Sequence, residues 1–285
     1  MLMVRHVKAP AKINLHLEVC GKLPNGYHAI KSIFQTVPLY DELDIELTET
    51  ENSCRVICEK MDLPENNTIS KAYRKFCEAS GITQSIQVVL NKCIPSGAGL
   101  GGGSSDAASL LLALNEMFDY PLDFSQLEEV ALTVGSDVPF FLKGGCALVT
   151  GQGEVIKPIP ARDDLSFVLI YPDEHSSTSE AYALVDDYQD KYGNRASLDD
   201  LEGVYNKKVS EWTFYNSFTQ PLFSKFPGIK KAFDDLKALD AEFVEVTGSG
   251  STVFGVFSDS ESAKAVYTKL CNDWQCRYCL LPSVL

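Results

Sequence analysis

The sequence predicts an α+β protein made of two domains. Its 285 residues approach the size limit of a single hydrophobic core, and both halves contain strand-like and helix-like segments. The pattern breaks at "PIPARDD", between residues 159 and 164. We therefore predict one domain from residue 1 to 160 and a second from 161 to 285.

The N-terminal half begins with strands. "VKAPAKINLHLEV" alternates apolar and polar residues, which predicts a strand with one buried face and one solvated face. Asn25 and Gly26 predict a turn into a second strand, "AIKSIFQTV". "DELDIEL" and "SCRVICE" predict a further hairpin, and "SIQVVLNKCI" predicts another strand.

Three helices are predicted in this half. "NNTISKAYRKFCEASG" carries an N-cap candidate at one end and Gly81 at the other. The glycine-rich loop opens a buried helix of about four turns that ends before Pro121. "SQLEEVALTVG" predicts an amphipathic helix, with Ser125 and Glu128 as a capping box and Gly135 as its end.

The C-terminal half has a recognisable order of elements. After a predicted hairpin, "CALVTGQGEVIKPIP", come a buried strand "LSFVLIYP", helical residues from about 178 to 239, strands "AEFVEV" and "TVFGVF", a helix, and a last strand "CRYCLLP". Strand, helices, two strands, helix and strand is the order of a split βαβ unit. This half is therefore predicted to be ferredoxin-like.

Composition excludes several classes of protein. The formal charge of −14 argues against nucleic-acid and anionic-membrane partners. No run approaches the ~20 apolar residues of a membrane span, and no secretory signal is evident, so we expect a soluble cytoplasmic protein. The nine cysteines are scattered, and even the Cys276–Cys279 pair is interpreted as packing rather than metal binding.

The stretch "PSGAGLGGGSSDAA" lies between a predicted strand and a predicted helix. Gly97, Gly99 and Gly102 fit G-x-G-x-x-G, but a second helix follows where a dinucleotide-binding fold needs a strand. No lysine lies between residues 94 and 118, which excludes a Walker loop. The His-Arg-Asp and Asp-Phe-Gly motifs of protein kinases are absent from the sequence.

Two interpretations of this stretch remain. Backbone N–H groups of a glycine-rich turn and of a helix start form an anion site, which favours phosphate binding. Ser104 and Ser105 can then cap the helix, bond a phosphate oxygen or approach magnesium. Alternatively, the glycines only permit close packing and the serines only cap the helix.

Three motifs in order resemble the small-molecule kinase family that contains the galacto-, homoserine and mevalonate kinases. They are "APAKINLHLEVCGKLPNGYHAI", "PSGAGLGGGSSDAA" and "VTGSGSTVFG", which extend from Lys8 to about Gly255. The first motif, in which "AKINL" precedes "GYH", is most similar to that of the branch of the family that acts on 4-diphosphocytidyl-2-C-methyl-D-erythritol.

The resemblance implies a fold and a reaction. The N-terminal domain would be like domain 2 of ribosomal protein S5, with the active site in the cleft beside the ferredoxin-like domain. The reaction would be ATP-dependent phosphorylation of the substrate's 2-hydroxyl, in non-mevalonate isoprenoid precursor biosynthesis. Magnesium is expected with ATP, but Ser105 is its nearest candidate ligand and no acidic partner is assigned. Oligomeric state is left open.

The resemblance also implies which residues do the chemistry. Asp137, in "VGSDVPFF", matches the catalytic base, and Lys12 matches the lysine beside it. From the residues alone, Asp137 is equally well a turn aspartate and Lys12 a solvated residue of a strand face. Residues implied to bind ATP phosphates are Pro95, Ser96, Gly97, Ala98, Gly99, Leu100, Gly101, Gly102, Gly103, Ser104 and Ser105.

A third group is implied to bind the alcohol substrate. Its members are Asn14, Tyr27, His28, Thr178, Tyr182, Gly248, Ser249 and Gly250. Tyr27 and His28 would meet the cytidine, with Tyr182 as a second aromatic side of the base pocket. On other interpretations Tyr27 and His28 form a hairpin tip, Tyr182 is a core aromatic and residues 247–252 are a glycine turn.

Three rival functions stay open at this point. A homoserine- or mevalonate-type kinase would use another small alcohol. A catalytically silent nucleotide-binding regulator could use the same scaffold, although Lys12 and Asp137 argue against it. A dinucleotide-dependent oxidoreductase is the third, and titration with NADH tests it.

Overall fold

The structure is a computed structural model that describes residues 4–51 and 53–280. Within these ranges the strands are β1 (Val4–Lys22), β2 (His28–Glu51), β3 (Cys54–Ile57), β4 (Gln84–Asn91), β5 (Cys146–Gly151), β6 (Val155–Ile159), β7 (Ser166–Tyr171), β8 (Phe243–Val246), β9 (Val253–Phe257) and β10 (Gln275–Leu280). The helices are α1 (Thr68–Ser80), α2 (Gly102–Met117), α3 (Phe124–Val134), α4 (Val138–Lys143), α5 (Thr178–Tyr192), α6 (Leu201–Tyr205), α7 (Thr219–Lys225), α8 (Pro227–Ala238) and α9 (Ser260–Leu270).

The chain groups into two compact units whose segments alternate along the sequence. Unit 1 holds the residues up to Ala11, then Leu39–Ser96 and Gly101–Gly144. Unit 2 holds Lys12–Pro38, Gly97–Leu100 and the residues from Gly145 onward. The domain boundary after residue 160 stays a prediction, since spatial proximity groups residues differently from a single cut in the sequence.

Unit 1 combines a small sheet with four helices. The second half of β2 pairs antiparallel with β4, and β3 pairs with β4 in parallel. The hairpin predicted for "DELDIEL" and "SCRVICE" is therefore wrong, because β3 takes β4 as its partner. Helix α1 packs on α2 and α3, and α4 packs on α2 and α3. Their buried residues, such as Phe76 and Leu111, form the core.

The ends of these helices follow the sequence with one exception. The Asn67 side chain caps α1, and Gly81 ends it in the left-handed conformation. The capping box predicted for α3 is wrong, because the N-cap lies two residues earlier than Ser125. Asp123 is its N-cap and exchanges hydrogen bonds with Gln126. The Glu128 carboxylate instead accepts from Lys143 Nζ at 3.0 Å.

Unit 2 contains the predicted ferredoxin-like sheet. Its strand order is β10-β7-β9-β8, with every neighbouring pair antiparallel. Helices lie between β7 and β8 along the chain, and α9 lies between β9 and β10, which is the split βαβ connection. The predicted β5–β6 hairpin is confirmed, and β5 pairs with the first half of β2.

The predicted solvated face of the first strand is wrong. On β1 the polar residues Lys12, Asn14, His16 and Glu18 are all buried. They face other polar groups of unit 2 rather than water, as described below. The turn after β1 is as predicted, with a Gly26 N–H bond to the Leu23 carbonyl and Gly26 at φ 86°.

Two further observations concern the described residues. No helix among them combines the length and apolar character that a membrane crossing requires. The thiols described there are free; Cys146 and Cys276 are buried, whereas Cys20 and Cys271 are exposed. The Cys279 side chain lies outside the described residues.

Candidate active site

The glycine-rich loop before α2 uses the conformational freedom of three of its glycines. Gly97, Gly99 and Gly101 have φ values of 66°, 77° and 70°, in the left-handed region that favours glycine. Gly101 is the N-cap of α2 and has no side chain with which to cap it. The first N–H groups of a helix have no acceptor within the helix, so this start can serve an anion.

In unit 2, residues 97–100 of this loop pack tightly on residues 247–252. A Cβ on Gly99 would lie 2.1 Å from the Thr247 carbonyl oxygen. The Thr252 N–H donates to the Ala98 carbonyl at 3.2 Å, and Thr247 Oγ1 donates to the Gly99 carbonyl at 3.1 Å. Gly99 therefore permits this close packing, and any phosphate there would meet backbone rather than side chains.

Lys12 and Asn14 belong to the same part of unit 2. The Lys12 amide donates to the Leu100 carbonyl at 2.9 Å, and Lys12 Nζ donates to Asn14 Oδ1 at 2.6 Å. Asn14 Oδ1 also accepts from the Gly248 N–H at 2.9 Å. The Lys12 ammonium lies 4.5 Å from the centre of the Phe34 ring. Both glycine loops are thus hydrogen-bonded to β1, the first through Lys12 and the second through Asn14.

The loop of residues 247–252 is held from beneath by Asn216. The Asn216 Nδ2 group donates to the Val246 and Gly248 carbonyls, both at 2.8 Å. The Asn216 N–H donates to Glu245 at 3.1 Å. Burial raises the pKa of Glu245 to about 7, against the hydrogen bonds it accepts from Thr219, Val246 and Asn216. This network fixes the loop that carries Gly248, Ser249 and Gly250.

Thr178 lies beside that loop. It is the first residue of α5, whose N-cap is Ser177. Thr178 Oγ1 and Ser249 Oγ are 3.4 Å apart, and both residues belong to unit 2. Gly250 is enclosed, since a Cβ there would lie 3.1 Å from Leu222 Cδ1. The predicted substrate residues Thr178 and Ser249 are therefore neighbours.

The aromatic residues predicted for the base pocket are arranged differently from the expectation. His28 and Tyr182 stack directly on each other, with ring centroids 4.5 Å apart and an angle of 17° between the planes. This is a contact distance, so no third ring fits between them. His28 Nε2 also lies 2.8 Å from Asp186 Oδ1. Tyr27 is 66% exposed at the tip of the turn.

In unit 1, a half-buried lysine bridges two buried carboxylates, one on β2 and one on α2. Lys92 Nζ donates to Asp41 and, at 3.0 Å, to Asp106 Oδ2. Burial raises the pKa of Asp106 to about 7, against the effect of Lys92. The pKa of Lys92 is raised, because the attraction of Asp106 and Asp41 outweighs its own burial. Asp41 Oδ1 also accepts the N–H groups of Cys93 and Ile94 at 2.6 and 2.8 Å.

Ser105 follows in the first turn of α2. The residue is fully buried, and its Oγ makes no hydrogen bond with any residue that the structure describes. Its N–H donates to the Gly101 carbonyl at 2.9 Å, as a helical amide does. Ser104 is half-buried, and Gly103, Gly97 and Ser96 are exposed. No group of three or more His, Cys, Asp or Glu among the described residues could hold a metal ion.

Asp137 occupies the N-cap position of the short helix α4 in unit 1. Its φ and ψ are −84° and −13°, and its side chain makes no capping hydrogen bond. Pro139 lies in the first turn of that helix. The residue is half-buried, between the buried Val134 and Val138. The Asp137 carboxylate does not cap α4, so helix capping, one of the ordinary roles of a turn aspartate, is excluded.

Two residues of the site were missed in the sequence. Asn216 lies in a loop with no motif, so nothing marked it. His175 follows "YPDE" in the segment before α5, and its ring lies against Gly97, where a Cβ would meet the imidazole at 2.6 Å. The neighbouring Glu174 carboxylate accepts the Gly228 and Ile229 N–H groups at 3.2 and 3.0 Å. For His175, closeness to the predicted start of α5 was the one available signal in the sequence.

Comparison with family models gives two matches. The model of the GHMP kinases N terminal domain matches residues 67–145, and that of the GHMP kinases C terminal matches residues 206–276. Together they include α1 to α4 of unit 1 and the strands β8 and β9 of unit 2.

Relatives of similar length support the same assignment. A 4-diphosphocytidyl-2-C-methyl-D-erythritol kinase of Treponema pallidum is 35% identical over 277 residues, which are 94% of this chain and 95% of that protein. One from Thermotoga maritima is 39% identical over 258 residues, 87% and 90% of the two chains.

Solved structures agree with the sequence relatives. The crystal structure of a 4-(cytidine 5'-diphospho)-2C-methyl-D-erythritol kinase matches with a TM-score of 0.80 and 30% identity, over 98% of this chain and all of that one. Homoserine kinase from Cytophaga hutchinsonii matches with a TM-score of 0.73 and 18% identity, over 96% and 93% of the two chains. The second likeness shows the fold alone.

Proposed function

The chain belongs to the GHMP kinases and, within them, to the 4-diphosphocytidyl-2-C-methyl-D-erythritol kinases, and from this membership we propose how its residues divide the work. It is an ATP-dependent phosphotransferase of the non-mevalonate isoprenoid pathway, acting on 4-diphosphocytidyl-2-C-methyl-D-erythritol. The observation that carries this is identity above 30% across nearly the whole chain. We propose the 2-hydroxyl as the acceptor and the cytoplasm as the location.

Asp137 is the proposed general base. Phosphoryl transfer needs an in-line hydroxyl, a group that accepts its proton, and neutralisation of charge. Asp137 is half-buried at the start of α4, where its carboxylate is a group that can accept a proton, which supports this role. Lys12 is the proposed cation that holds the hydroxyl and the transferring phosphoryl group. Its burial and its fixed position beside Asn14 and the glycine loop support orientation of this kind.

The glycine-rich residues 95–105 are the proposed cradle for the ATP phosphates. The left-handed glycines and the α2 start supply N–H donors, while Ala98 and Leu100 are buried and contribute backbone only. Ser105 fits a ligand of magnesium, since its buried hydroxyl oxygen has no hydrogen-bond partner among the described residues. When bound, magnesium neutralises charge on the phosphates. No acidic ligand is assigned.

The substrate's two ends are assigned to different parts of unit 2. Asn14, Thr178 and the loop of Gly248, Ser249 and Gly250 are proposed for the alcohol and diphosphate, since they lie around the fastened glycine loops. Tyr27 and His28 are proposed for the cytidine. Tyr182 supports the His28 ring from one face, and the exposed Tyr27 is the side chain available to stack on a base.

A coupled ADP-release assay with MgATP tests the function. We expect ADP release that depends on 4-diphosphocytidyl-2-C-methyl-D-erythritol, with phosphate on the 2-oxygen. Homoserine and mevalonate are the controls. ADP release with either of them, and none with the diphosphocytidyl compound, would contradict the proposed substrate. ATP binding without release for any alcohol would instead favour the silent regulator.

Asp137→Asn tests the proposed base. The amide keeps the size of the side chain but cannot accept the hydroxyl proton, so we expect kcat to fall by at least about 10²-fold. The Kd for ATP should stay within about twofold of the wild-type value, because the phosphate cradle is unchanged. An unimpaired kcat would remove Asp137 from the mechanism.

A further inference from the structure

The His28 ring is held on two sides in unit 2. Asp186, one turn beyond Tyr182 on α5, lies with its Oδ1 2.8 Å from His28 Nε2. The Tyr182 ring covers one face of the imidazole at 4.5 Å. The His28 side chain is only 8% exposed, whereas that of Asp186 is 38% exposed. These two contacts therefore fix both the position and the rotation of the imidazole ring.

The Asp186 contact decides which ring nitrogen carries the proton. A carboxylate oxygen can only accept, so a neutral His28 must carry its hydrogen on Nε2 and donate it to Asp186. Nδ1 is then left with a lone pair. Among the described residues, His28 makes no hydrogen bond through Nδ1. The imidazole thus presents an acceptor and no donor at that edge.

We propose that Asp186 is a positioning residue that makes His28 select cytosine over uracil, an inference that rests on the proposed binding of cytidine at His28. The exocyclic amino group of cytosine donates a hydrogen bond to Nδ1. Uracil has a carbonyl oxygen at the same place, and two acceptors facing each other repel. A base bonded to Nδ1 lies in the plane of the imidazole and hence nearly parallel to the Tyr182 ring.

Other charges near the pair do not replace Asp186. Lys22 Nζ is 4.0 Å from Asp186 Oδ2; the Lys22 side chain is largely exposed, whereas Asp186 is half-buried. Lys22 can attract the carboxylate, but it carries no acceptor that could fix the imidazole. The next residue, Asp187, is exposed and has no hydrogen bond or ion pair among the described residues, so it offers a control of equal charge on the same helix.

The test compares binding of CDP and UDP to the whole protein by calorimetry. The ATP site is first saturated with a non-hydrolysable ATP analogue, so that only the substrate site is titrated. The variants are Asp186→Ala, Asp186→Asn and Asp187→Ala, each checked for folding by circular dichroism. Binding does not require turnover, so this result is independent of whether the kinase reaction occurs as proposed.

We expect the wild-type protein to bind CDP about tenfold or more tightly than UDP, since a hydrogen bond and a repulsion separate the two bases. Asp186→Ala should reduce the ratio to about two or less, because either nitrogen of His28 can then carry the proton. Asp186→Asn should also lower the ratio, because its side-chain amide can either accept from Nε2 or donate to it and so allows both tautomers of His28. Asp187→Ala should match the wild type.

A second measurement reads the proton directly. Nitrogen-15 spectra of the four histidines, assigned with His28→Gln, should show His28 protonated on Nε2 in the wild type and a mixture in Asp186→Ala. A folded Asp186→Ala that keeps the wild-type CDP-to-UDP ratio would overturn the proposal. A wild-type protein without preference for CDP, or with the proton of His28 on Nδ1, would do the same.

Discussion

At the scale of single residues, His16 shows what burial does to a titratable group. The residue is fully buried on β1, and its Nδ1 accepts the Tyr215 N–H at 3.2 Å. Burial, aided by the positive charges of Lys31 and Arg195, lowers the pKa of His16 to about 3. The imidazole is therefore neutral in the folded protein at any pH at which the enzyme would work.

This predicts a definite pH dependence of stability. The unfolded chain binds a proton at His16 below about pH 6.5, whereas the folded protein does not until about pH 3. The free energy of unfolding should thus decrease as pH falls through this window, by up to about 1.4 kcal/mol per pH unit for this group. The contribution is fully present above pH 6.5.

His16→Asn checks the assignment. Its Oδ1 can still accept the Tyr215 amide, but the side chain does not titrate. Urea unfolding between pH 6.5 and 5 should give a shallower decline in the variant than in the wild type. Parallel declines, even if the variant is less stable throughout, would show that His16 is not the group responsible.

At the scale of elements, the two glycine loops depend on each other. A Cβ on Gly248 would lie 3.1 Å from the Gly99 Cα, and one on Gly99 would lie 2.1 Å from the Thr247 oxygen. Both glycines also have positive φ. The loops therefore approach each other as closely as two backbones can.

Gly99→Ala should destabilise the protein by about 2–4 kcal/mol, from backbone strain and overpacking together. Gly193→Ala is the matched control, because Gly193 has φ 79° and nothing within 4 Å of an added Cβ. It should cost about 1 kcal/mol, from the strain alone. Urea unfolding measures both, and equal losses would contradict the packing argument.

Elements whose signals are local could be predicted, and those set by distant partners could not. Asn67 and Gly81 mark the ends of α1 because capping depends on neighbouring residues. The pairing of β3 with β4 was missed because strand partners are chosen in three dimensions. The burial of Asn14 was missed for the same reason, since its partners Thr247 and Gly248 lie near the other end of the sequence.

At the scale of the whole molecule, charge opposes the proposed reaction. The net charge is −14, and both ATP and the diphosphocytidyl substrate are anions. Approach must therefore overcome an unfavourable long-range field, while the glycine-loop amides and Lys12, which are proposed to hold the phosphates, would act only at short range.

Salt should relieve this repulsion. We expect kcat/KM for MgATP to rise about two- to threefold between about 20 and 150 mM KCl, because the screening length shortens over this range. Sucrose at matched osmolarity controls for non-ionic effects. A fall in kcat/KM over the same range would mean that a local positive field governs encounter.

The interlocking of the two glycine loops also orders events during synthesis. Residues 97–100 leave the ribosome long before residues 247–252. The Ala98 and Gly99 carbonyls can therefore accept their hydrogen bonds from Thr252 and Thr247 only after the later segment has been made. Strand β1 also depends on this late segment, because the Asn14 N–H donates to Thr247 Oγ1 at 3.0 Å. Contacts of such sequence separation form slowly. A nascent chain shorter than about 252 residues cannot assemble this loop pair, so the unfinished enzyme does not acquire the proposed phosphate cradle early.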